Sequence, residues 1–191
     1  MIEDSWMNQP LTTPNVPAER VLCLVCGLCC NGVIFADVQL ESGDEAARVQ
    51  SLGLRLKSGG RGQPKLVQPC EAFDGSRCRI YAERPKHCCN FECLLLKSVK
   101  AGRTERAGAL RIIGRAREQA DKVRRLLREL GDSEESLPLR ARFRRTARRM
   151  ESHELDATAA DLHAQLTLAV HDLNRLLEES FYPEESGSDA T

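Results

Sequence analysis

All nine cysteines of this 191-residue chain lie between Cys23 and Cys93. Four of them form a Cys-x2-Cys-x2-Cys-Cys run, and five follow at wider spacings. The complete set is Cys23, Cys26, Cys29, Cys30, Cys70, Cys78, Cys88, Cys89 and Cys93. Thiolates at such short spacings are the ligands that zinc and iron–sulfur clusters use. We therefore favour metal binding as the property that organises the fold.

A disulfide framework is the alternative, and it fits the sequence poorly. Nine cysteines leave one unpaired. Residues 1–6 show no basic segment followed by an apolar run, as a secretory signal would. Residues 21–36 are apolar but too short and too interrupted by cysteine and glycine to span a bilayer. These features favour the cytoplasm, where persistent disulfides are rare, and predict no membrane association.

Composition changes along the chain predict four regions. Residues 1–20, which contain three prolines among polar residues, are expected to be a flexible leader. Residues 21–96 form the predicted cysteine-cluster metal-binding domain, residues 97–183 a helical extension, and residues 184–191 a disordered tail. The predicted fold class is α+β: a small, irregular cysteine-rich metal-binding unit followed by a mostly α-helical C-terminal extension of about three helices.

Short elements are predicted within the cysteine-cluster domain. They are strands at residues 33–38, 65–67 and 79–81, a helix at residues 44–54, and a glycine-rich loop at residues 58–62. Asp74 and Gly75 supply a turn that would bring Cys70 and Cys78 together. Such a unit has few bulky apolar side chains, so a metal would supply the cross-links that its core lacks.

Apolar residues recur at helical spacing after residue 97. The first stripe covers residues 107–130, and Gly131 is expected to end that helix. Pro138 suits the start of a second helix, with a stripe over residues 139–150. The third stripe covers residues 155–176. These faces must pack against one another or against the cysteine unit.

The formal net charge is zero, but its distribution is uneven. Residues 97–149 hold 17 basic and seven acidic residues, a net charge of +10, whereas residues 150–191 hold one basic and ten acidic residues, a net charge of −9. Six arginines are concentrated at Arg140, Arg142, Arg144, Arg145, Arg148 and Arg149. Nucleic acid is one candidate partner. We favour neutralisation by the acidic third helix, since few aromatic residues are available for base stacking.

The spacing of the thiols constrains how they can share metal ions. Zinc takes four ligands in a tetrahedron, and Cys23, Cys26 and Cys29 can supply three of them, or three ligands of an iron–sulfur cluster. Neighbouring side chains of an extended chain point in opposite directions. Cys29 and Cys30 are therefore expected to serve two metals, or two irons of one cluster. The second half of the domain offers Cys70, Cys78, Cys88 and Cys93, so two four-thiolate sites or one polynuclear cluster are both open.

Other residues of the domain are weaker candidates. Basic side chains between the cysteines can offset thiolate charge, namely Arg77, Arg79, Arg84 and Lys86. His87 adjoins Cys88, but eight cysteines are better placed as ligands. His163 and His171 are not spaced as an i,i+4 metal pair. The sequence contains no phosphate-binding loop, nucleophile elbow or His-Glu-x2-His motif, so no catalytic residue is assigned and enzymatic activity is left open.

The cysteine pattern resembles the YkgJ-like cysteine cluster family, a zinc- or iron-chelating domain of the CxxCxxCC type. The run over residues 21–35 is similar to the opening of that family. Later motifs agree in order and spacing: Gln68-Pro-Cys70, Cys78-Arg-Ile-Tyr81, Arg84-Pro85, Cys88 and Phe91-Glu-Cys93. The resemblance implies chelation of zinc or iron, or of an iron–sulfur cluster, by Cys23, Cys26, Cys29, Cys30, Cys70, Cys78, Cys88 and Cys93. Cys89 stands where the family commonly has arginine, which predicts a packed or free thiol.

Two hypotheses of other classes remain open. One is an iron–sulfur-dependent enzyme, redox or methyl-transferring, because flagellin lysine methylases carry a similar cysteine cluster in a much longer chain. The other is an interaction module, in which the metal unit is a scaffold and the basic helices bind an acidic partner. In either case Tyr81, Arg84 and Pro85 are expected to form the scaffold of the second cysteine group.

Overall fold

The computed structural model describes residues 18–40, 46–60, 63–152 and 156–182. In these ranges the chain forms seven helices and three strands. In chain order they are α1 (Ala18–Cys26), β1 (Asp37–Gln39), α2 (Ala46–Ser51), β2 (Leu56–Ser58), β3 (Pro64–Val67), α3 (Lys86–Asn90), α4 (Leu94–Lys100), α5 (Arg106–Glu129), α6 (Leu139–Glu151) and α7 (Ala157–Ser180). The predicted α+β class is confirmed by a small antiparallel sheet and a helical C-terminal part.

The three strands form a sheet in the order β1-β3-β2, and both pairings are antiparallel. Leu66 of β3 lies opposite Val38 on one side and Leu56 on the other. The alternation of β3 buries Leu66 and leaves its neighbours half-buried. The buried residues of this part form the smaller core, which comprises Val38, Leu40, Val49, Leu54, Leu66 and Ala72.

Two of the predicted strands differ from the structure. The strand expected at residues 33–38 is shifted to Asp37–Gln39, because the backbone of Ile34 still bonds back to Leu28 and closes the first cysteine loop. Residues 79–81 form turns, and the prediction of a strand there was wrong. The described residues just before this segment form a single β-bridge, between Phe73 and Cys78. Arg79 N–H then donates to Ala72 O.

The remaining local predictions fall close to the observed elements. The strand at residues 65–67 and the short helix at 44–54 correspond to β3 and α2, although residues 41–45 lie outside the described ranges. The Asp74–Gly75 turn is present: Gly75 has a φ of 96°, and the Asp74 carboxylate accepts hydrogen bonds from the amides of Ser76 and Arg77. Residues 1–17 of the predicted leader, residues 61–62 of the glycine loop and all of the tail lie outside the described residues.

The three long helices are close to those predicted. Helix α5 ends before Gly131, whose φ of 79° is the left-handed conformation that ends helices. Pro138 precedes the first residue of α6, where its fixed φ is compatible with a helix start. Helix α7 packs along α5 and ends near Phe181, which is 1% exposed. In the part of the chain that the structure describes, none of the helices combines the length and apolarity needed to cross a membrane.

The larger core is shared between the cysteine unit and the helical extension. Leu22 and Leu28, from the first cysteine run, belong to the same buried cluster as Ile113, Val123 and the inner face of α7. Helix α1 contacts α5 directly. The cysteine unit is therefore supported by the helices, since its own core is limited to a few residues around the sheet.

The arginines of α6 have partners other than those predicted. Arg142 is buried and forms an ion pair with Asp132 at 2.6 Å, where both side chains are 3% exposed. Arg145 lies 3.7 Å from Glu134, and Arg149 donates to the carbonyl of Leu130. These partners belong to the α5–α6 connection. The arginines of α6 were expected to be neutralised by the third helix. In the described residues their ion pairs are instead with the α5–α6 connection.

We predict that the Arg142–Asp132 pair fixes α6 against the end of α5. Removing one partner leaves an uncompensated buried charge, so Asp132→Ala or Arg142→Ala should lower the free energy of unfolding by about 3–5 kcal/mol. Urea unfolding followed by circular dichroism measures this loss. The double variant Asp132→Leu/Arg142→Met should recover most of the stability, and a single variant that loses less than about 1 kcal/mol would contradict this role.

Candidate metal centre

Eight of the nine cysteines line one cleft of about 110 Å³ between the sheet and the helices. They are Cys23, Cys26, Cys29, Cys30, Cys70, Cys78, Cys88 and Cys93. Cys89 does not line it. The Cys89 side chain is exposed, and its thiol donates to the carbonyl of Arg84 at 3.6 Å. The structure thus brings together the eight cysteines singled out in the sequence and leaves the ninth outside.

Helix α1 and the start of α4 present the first set of thiols. Cys23 and Cys26 lie one turn apart on α1, and the chain then turns at Gly27 towards Cys29. Cys93 caps α4, where its sulfur accepts a hydrogen bond from Leu96 N–H at 3.4 Å. Burial, together with the neighbouring thiols of Cys93 and Cys23, raises the pKa of Cys26 to about 12. We call Cys23, Cys26, Cys29 and Cys93 the first set.

The other four thiols form a second set, which comprises Cys30, Cys70, Cys78 and Cys88. Cys70 N–H donates to Cys30 O at 2.8 Å and so joins the two cysteine-bearing segments. Burial raises the pKa of Cys30, and the thiols of Cys78, Cys70 and Cys88 raise it further. Burial likewise raises the pKa of Cys88 to about 12, with Cys70 and Cys78 as its nearest thiol neighbours.

The two sets therefore do not follow the order of the chain. Cys29 and Cys30 are assigned to different sets, because Cys26 is the thiol that most raises the pKa of Cys29 whereas Cys78 and Cys70 most raise that of Cys30. Cys93, however, lies with the first run and not with Cys70, Cys78 and Cys88. Hydrophobic contacts divide in the same way. Cys26 and Cys93 pack on the larger core, whereas Cys70, Cys78 and Cys88 pack on the smaller one.

Backbone amides point at the sulfurs in both sets. In the first set the N–H of Leu28 bonds to the sulfur of Cys26, and that of Leu96 to the sulfur of Cys93. In the second set the N–H two residues further on bonds to the sulfur of Cys70 and of Cys78. Each of these bonds lowers the pKa of the thiol that burial has raised. Amide donors of this kind stabilise thiolates and are a regular part of thiolate metal sites. The spacing of the cysteines in the sequence did not predict these amide–sulfur hydrogen bonds.

Positive side chains surround the sulfurs. Arg84 lies 3.8 Å from the centre of the Tyr81 ring and lowers the pKa of Cys23, Cys78 and Cys88. Its Nε is buried and has no hydrogen-bond partner among the described residues. The position of Arg84 agrees with its predicted role of offsetting thiolate charge. Lys100, which was not predicted, also lowers the pKa of Cys23.

His87 lines the cleft between two aromatic rings. Its ring is stacked on Phe91 at 6.4 Å and lies edge-on to Phe35 at 6.1 Å. This packing accounts for the histidine without a metal. His163 lies on α7.

The donor set fits zinc or iron in chemistry, but the sulfurs are not preassembled. In the four described ranges, no three histidine, cysteine, aspartate or glutamate side chains converge closely enough to hold an ion. Burial also favours the neutral thiols in this arrangement. The cleft can therefore act as a metal centre only if the thiols lose their protons and close inward around a cation.

The fold and the cleft define a cysteine-rich domain supported by helices, of a kind suited to chelation. Comparison with known families agrees: residues 22–109, a little under half of the chain, match the CxxCxxCC family, described as a "putative zinc- or iron-chelating domain". The match confirms the resemblance noted in the sequence for this segment. Neither the curated proteins nor the solved structures include a match to the chain.

We predict that Gly27 cannot be replaced without disturbing the cleft. Its φ is +66°, and a Cβ placed there would lie 2.4 Å from the ring of Phe73. Gly27→Ala should cost about 1–2 kcal/mol for the left-handed backbone and about 1–3 kcal/mol more for the clash. Gly53→Ala is the matched control, because its φ is +79° and nothing lies within 4 Å. Equal losses in urea unfolding would refute the contact with Phe73.

Proposed function

We propose that this protein chelates two metal ions, zinc or iron, in two separate four-thiolate sites. The first set would hold one ion and the second set the other. The observation that carries the proposal is the division of eight clustered thiols into two sets of four, each with two amide donors to sulfur. Four thiolates are the number that a tetrahedral zinc or iron ion requires.

Two mononuclear sites are favoured over one eight-thiolate cluster. The Cys29–Cys30 pair is divided between the sets, and the sets pack on different cores. A divalent ion with four thiolates carries a net charge of about −2. Arg84, Lys100 and Arg117 each lie close enough to a thiol to lower its pKa and would offset that charge. A closed site of this kind leaves no position for substrate, which favours a binding or structural role over the iron–sulfur enzyme.

The metals would cross-link segments that come from different parts of the chain. The first set joins α1 to the start of α4, and the second joins the first cysteine loop to the Cys70–Cys78 turn and α3. A structural zinc site contributes on the order of 10 kcal/mol to folding. Such sites are compatible with the reducing cytoplasm that we infer for this chain, where the thiols stay unoxidised.

Metal content should follow the two sets. Protein purified anaerobically under reducing conditions should contain about two ions per chain by elemental analysis. Cys26→Ser should remove the ion of the first set and leave about one, and Cys78→Ser should do the same for the second. Cys89→Ser should keep both ions, since this thiol lies outside the cleft.

The same samples identify the metal. A colourless protein with two zinc ions per chain supports structural zinc sites, whereas absorption near 400 nm with iron but without acid-labile sulfide indicates two iron–thiolate ions. Acid-labile sulfide would instead show an iron–sulfur cluster. Protein without stoichiometric metal, or complete metal loss on changing either set alone, would refute two independent four-thiolate sites.

The metal-free and metal-loaded forms should differ in their response to pH. In the metal-free fold, burial raises the pKa of the thiols above the ordinary value of 9.0, to about 12 for Cys26 and Cys88. Folding therefore favours the protonated thiol, and this contribution is complete below pH 9 and is lost as the pH rises through 9 towards 12.

We predict that the urea midpoint of the metal-free, reduced protein falls as the pH rises above about 9, while that of the loaded protein changes little. Circular dichroism during unfolding measures both. The variant Cys26→Ser/Cys88→Ser, which lacks two of these buried thiols, should show a smaller fall in the metal-free form. A metal-free protein with the same midpoint on both sides of pH 9 would contradict the burial of neutral thiols.

A further inference from the structure

One arginine of α5 contacts both cysteine-bearing segments at once. Arg117 Nη1 donates to the carbonyl of Val25 at 2.7 Å, and its Nη2 donates to the carbonyl of Gly75 at 3.2 Å. Val25 directly precedes Cys26 of the first set. Gly75 lies in the turn between Cys70 and Cys78 of the second set. A single planar guanidinium thus joins the two backbone segments that carry cysteines of the first and the second set.

The helix that carries Arg117 is well placed to act as a fixed support. Helix α5 is 24 residues long and packs along most of α7. Ala116, next to Arg117, is completely buried. Residue 117 also lies beyond the region that matches the chelating family, which ends at residue 109. The contact is therefore a contribution of the helical extension to the cysteine unit.

We propose that Arg117 couples the two cysteine sets, so that metal binding by one set favours metal binding by the other. The inference rests on the two four-thiolate sites proposed above. Closing the first set around an ion fixes the Val25 carbonyl, which orients the guanidinium. The oriented guanidinium then holds the Gly75 carbonyl and the turn that carries Cys78, so less ordering remains for the second ion.

The fork of arginine is essential to this role. Its donors have a fixed geometry that can serve two carbonyls together, whereas lysine presents one compact ammonium group on a flexible stem. Arg117→Lys retains the positive charge near Cys26 but should not hold both carbonyls. A comparison of Arg117→Lys with Arg117→Met therefore separates the bridging of the two segments from simple charge.

Arg124 provides a matched control on the same helix. Its Nη2 donates to the carbonyl of Asn31 at 3.3 Å, and its Nη1 bonds to Asp121. Arg124 is therefore hydrogen-bonded to the first cysteine loop. Among the described residues it donates no hydrogen bond to the second segment. Arg124→Met should weaken attachment of the loop to α5 without changing the coupling between the sets.

The coupling is measured with Zn²⁺ and a competing chromophoric chelator, using full-length protein. The affinity of the first set for Zn²⁺ is compared between protein with an intact second set and Cys78→Ser protein. We expect the intact second set to raise this affinity by about 5- to 150-fold. Arg117→Met and Arg117→Lys should remove most of this ratio, whereas Arg124→Met should retain it. Circular dichroism of each zinc-loaded variant checks that it is folded.

The outcomes distinguish this inference from the proposed function. Two zinc ions per chain with no coupling in the unmodified protein would overturn the role of Arg117 and leave the two sites standing. Coupling that survives Arg117→Lys and Arg117→Met, or that falls equally in Arg124→Met, would also overturn it. A protein that binds neither zinc nor iron would overturn both proposals. If Arg117→Met does not fold, the folded Arg117→Lys variant decides alone.

Discussion

The structure depends on gathering eight thiols, seven of them half-buried and one, Cys23, exposed, where several chain segments meet. A neutral thiol is stable in an apolar cleft, but a thiolate there needs N–H donors and positive charge close by. Amides directed at the sulfurs of Cys26, Cys93, Cys70 and Cys78 supply the donors. Neighbouring arginines supply part of the charge. The local structure of α1, the Asp74 turn and the cap of α4 can be understood as ways of placing these groups.

The helices make such a cleft possible in a small protein. The sheet and its surroundings bury only a few apolar residues, which is too little to hold irregular loops in place alone. The first cysteine run instead joins the core of α5 and α7 through Leu22 and Leu28. Gly32 O also accepts a hydrogen bond from Leu139 N–H at the start of α6. The cysteine unit and the extension are thus packed as one structure, although only the first part matches the chelating family.

Local signals in the sequence predicted most of the helical part but less of the cysteine unit. Apolar spacing, Gly131 and Pro138 define α5 and α6 because these signals act within a few residues. The strand expected at residues 79–81 failed because the chain there is held by a turn and one bridge to Phe73, a contact that apolar composition does not specify. Arg142 was expected to be neutralised by the acidic third helix, whereas its partner is Asp132, which the α5–α6 connection brings to it.

The same distinction between local signals and contacts of distant segments applies to the cysteine site. Residue type and spacing pointed to the cysteines, and the family resemblance separated Cys89 from the other eight. The grouping of Cys93 with the second half of the domain followed only the order of the chain. Cys93 lies with the first run because α4 begins beside the end of α7, where Leu94 N–H donates to Phe181 O at 3.2 Å. That contact joins segments far apart in the sequence. The Cys29–Cys30 pair, in contrast, is local, so the sequence alone was enough to suggest that these two thiols belong to different sets.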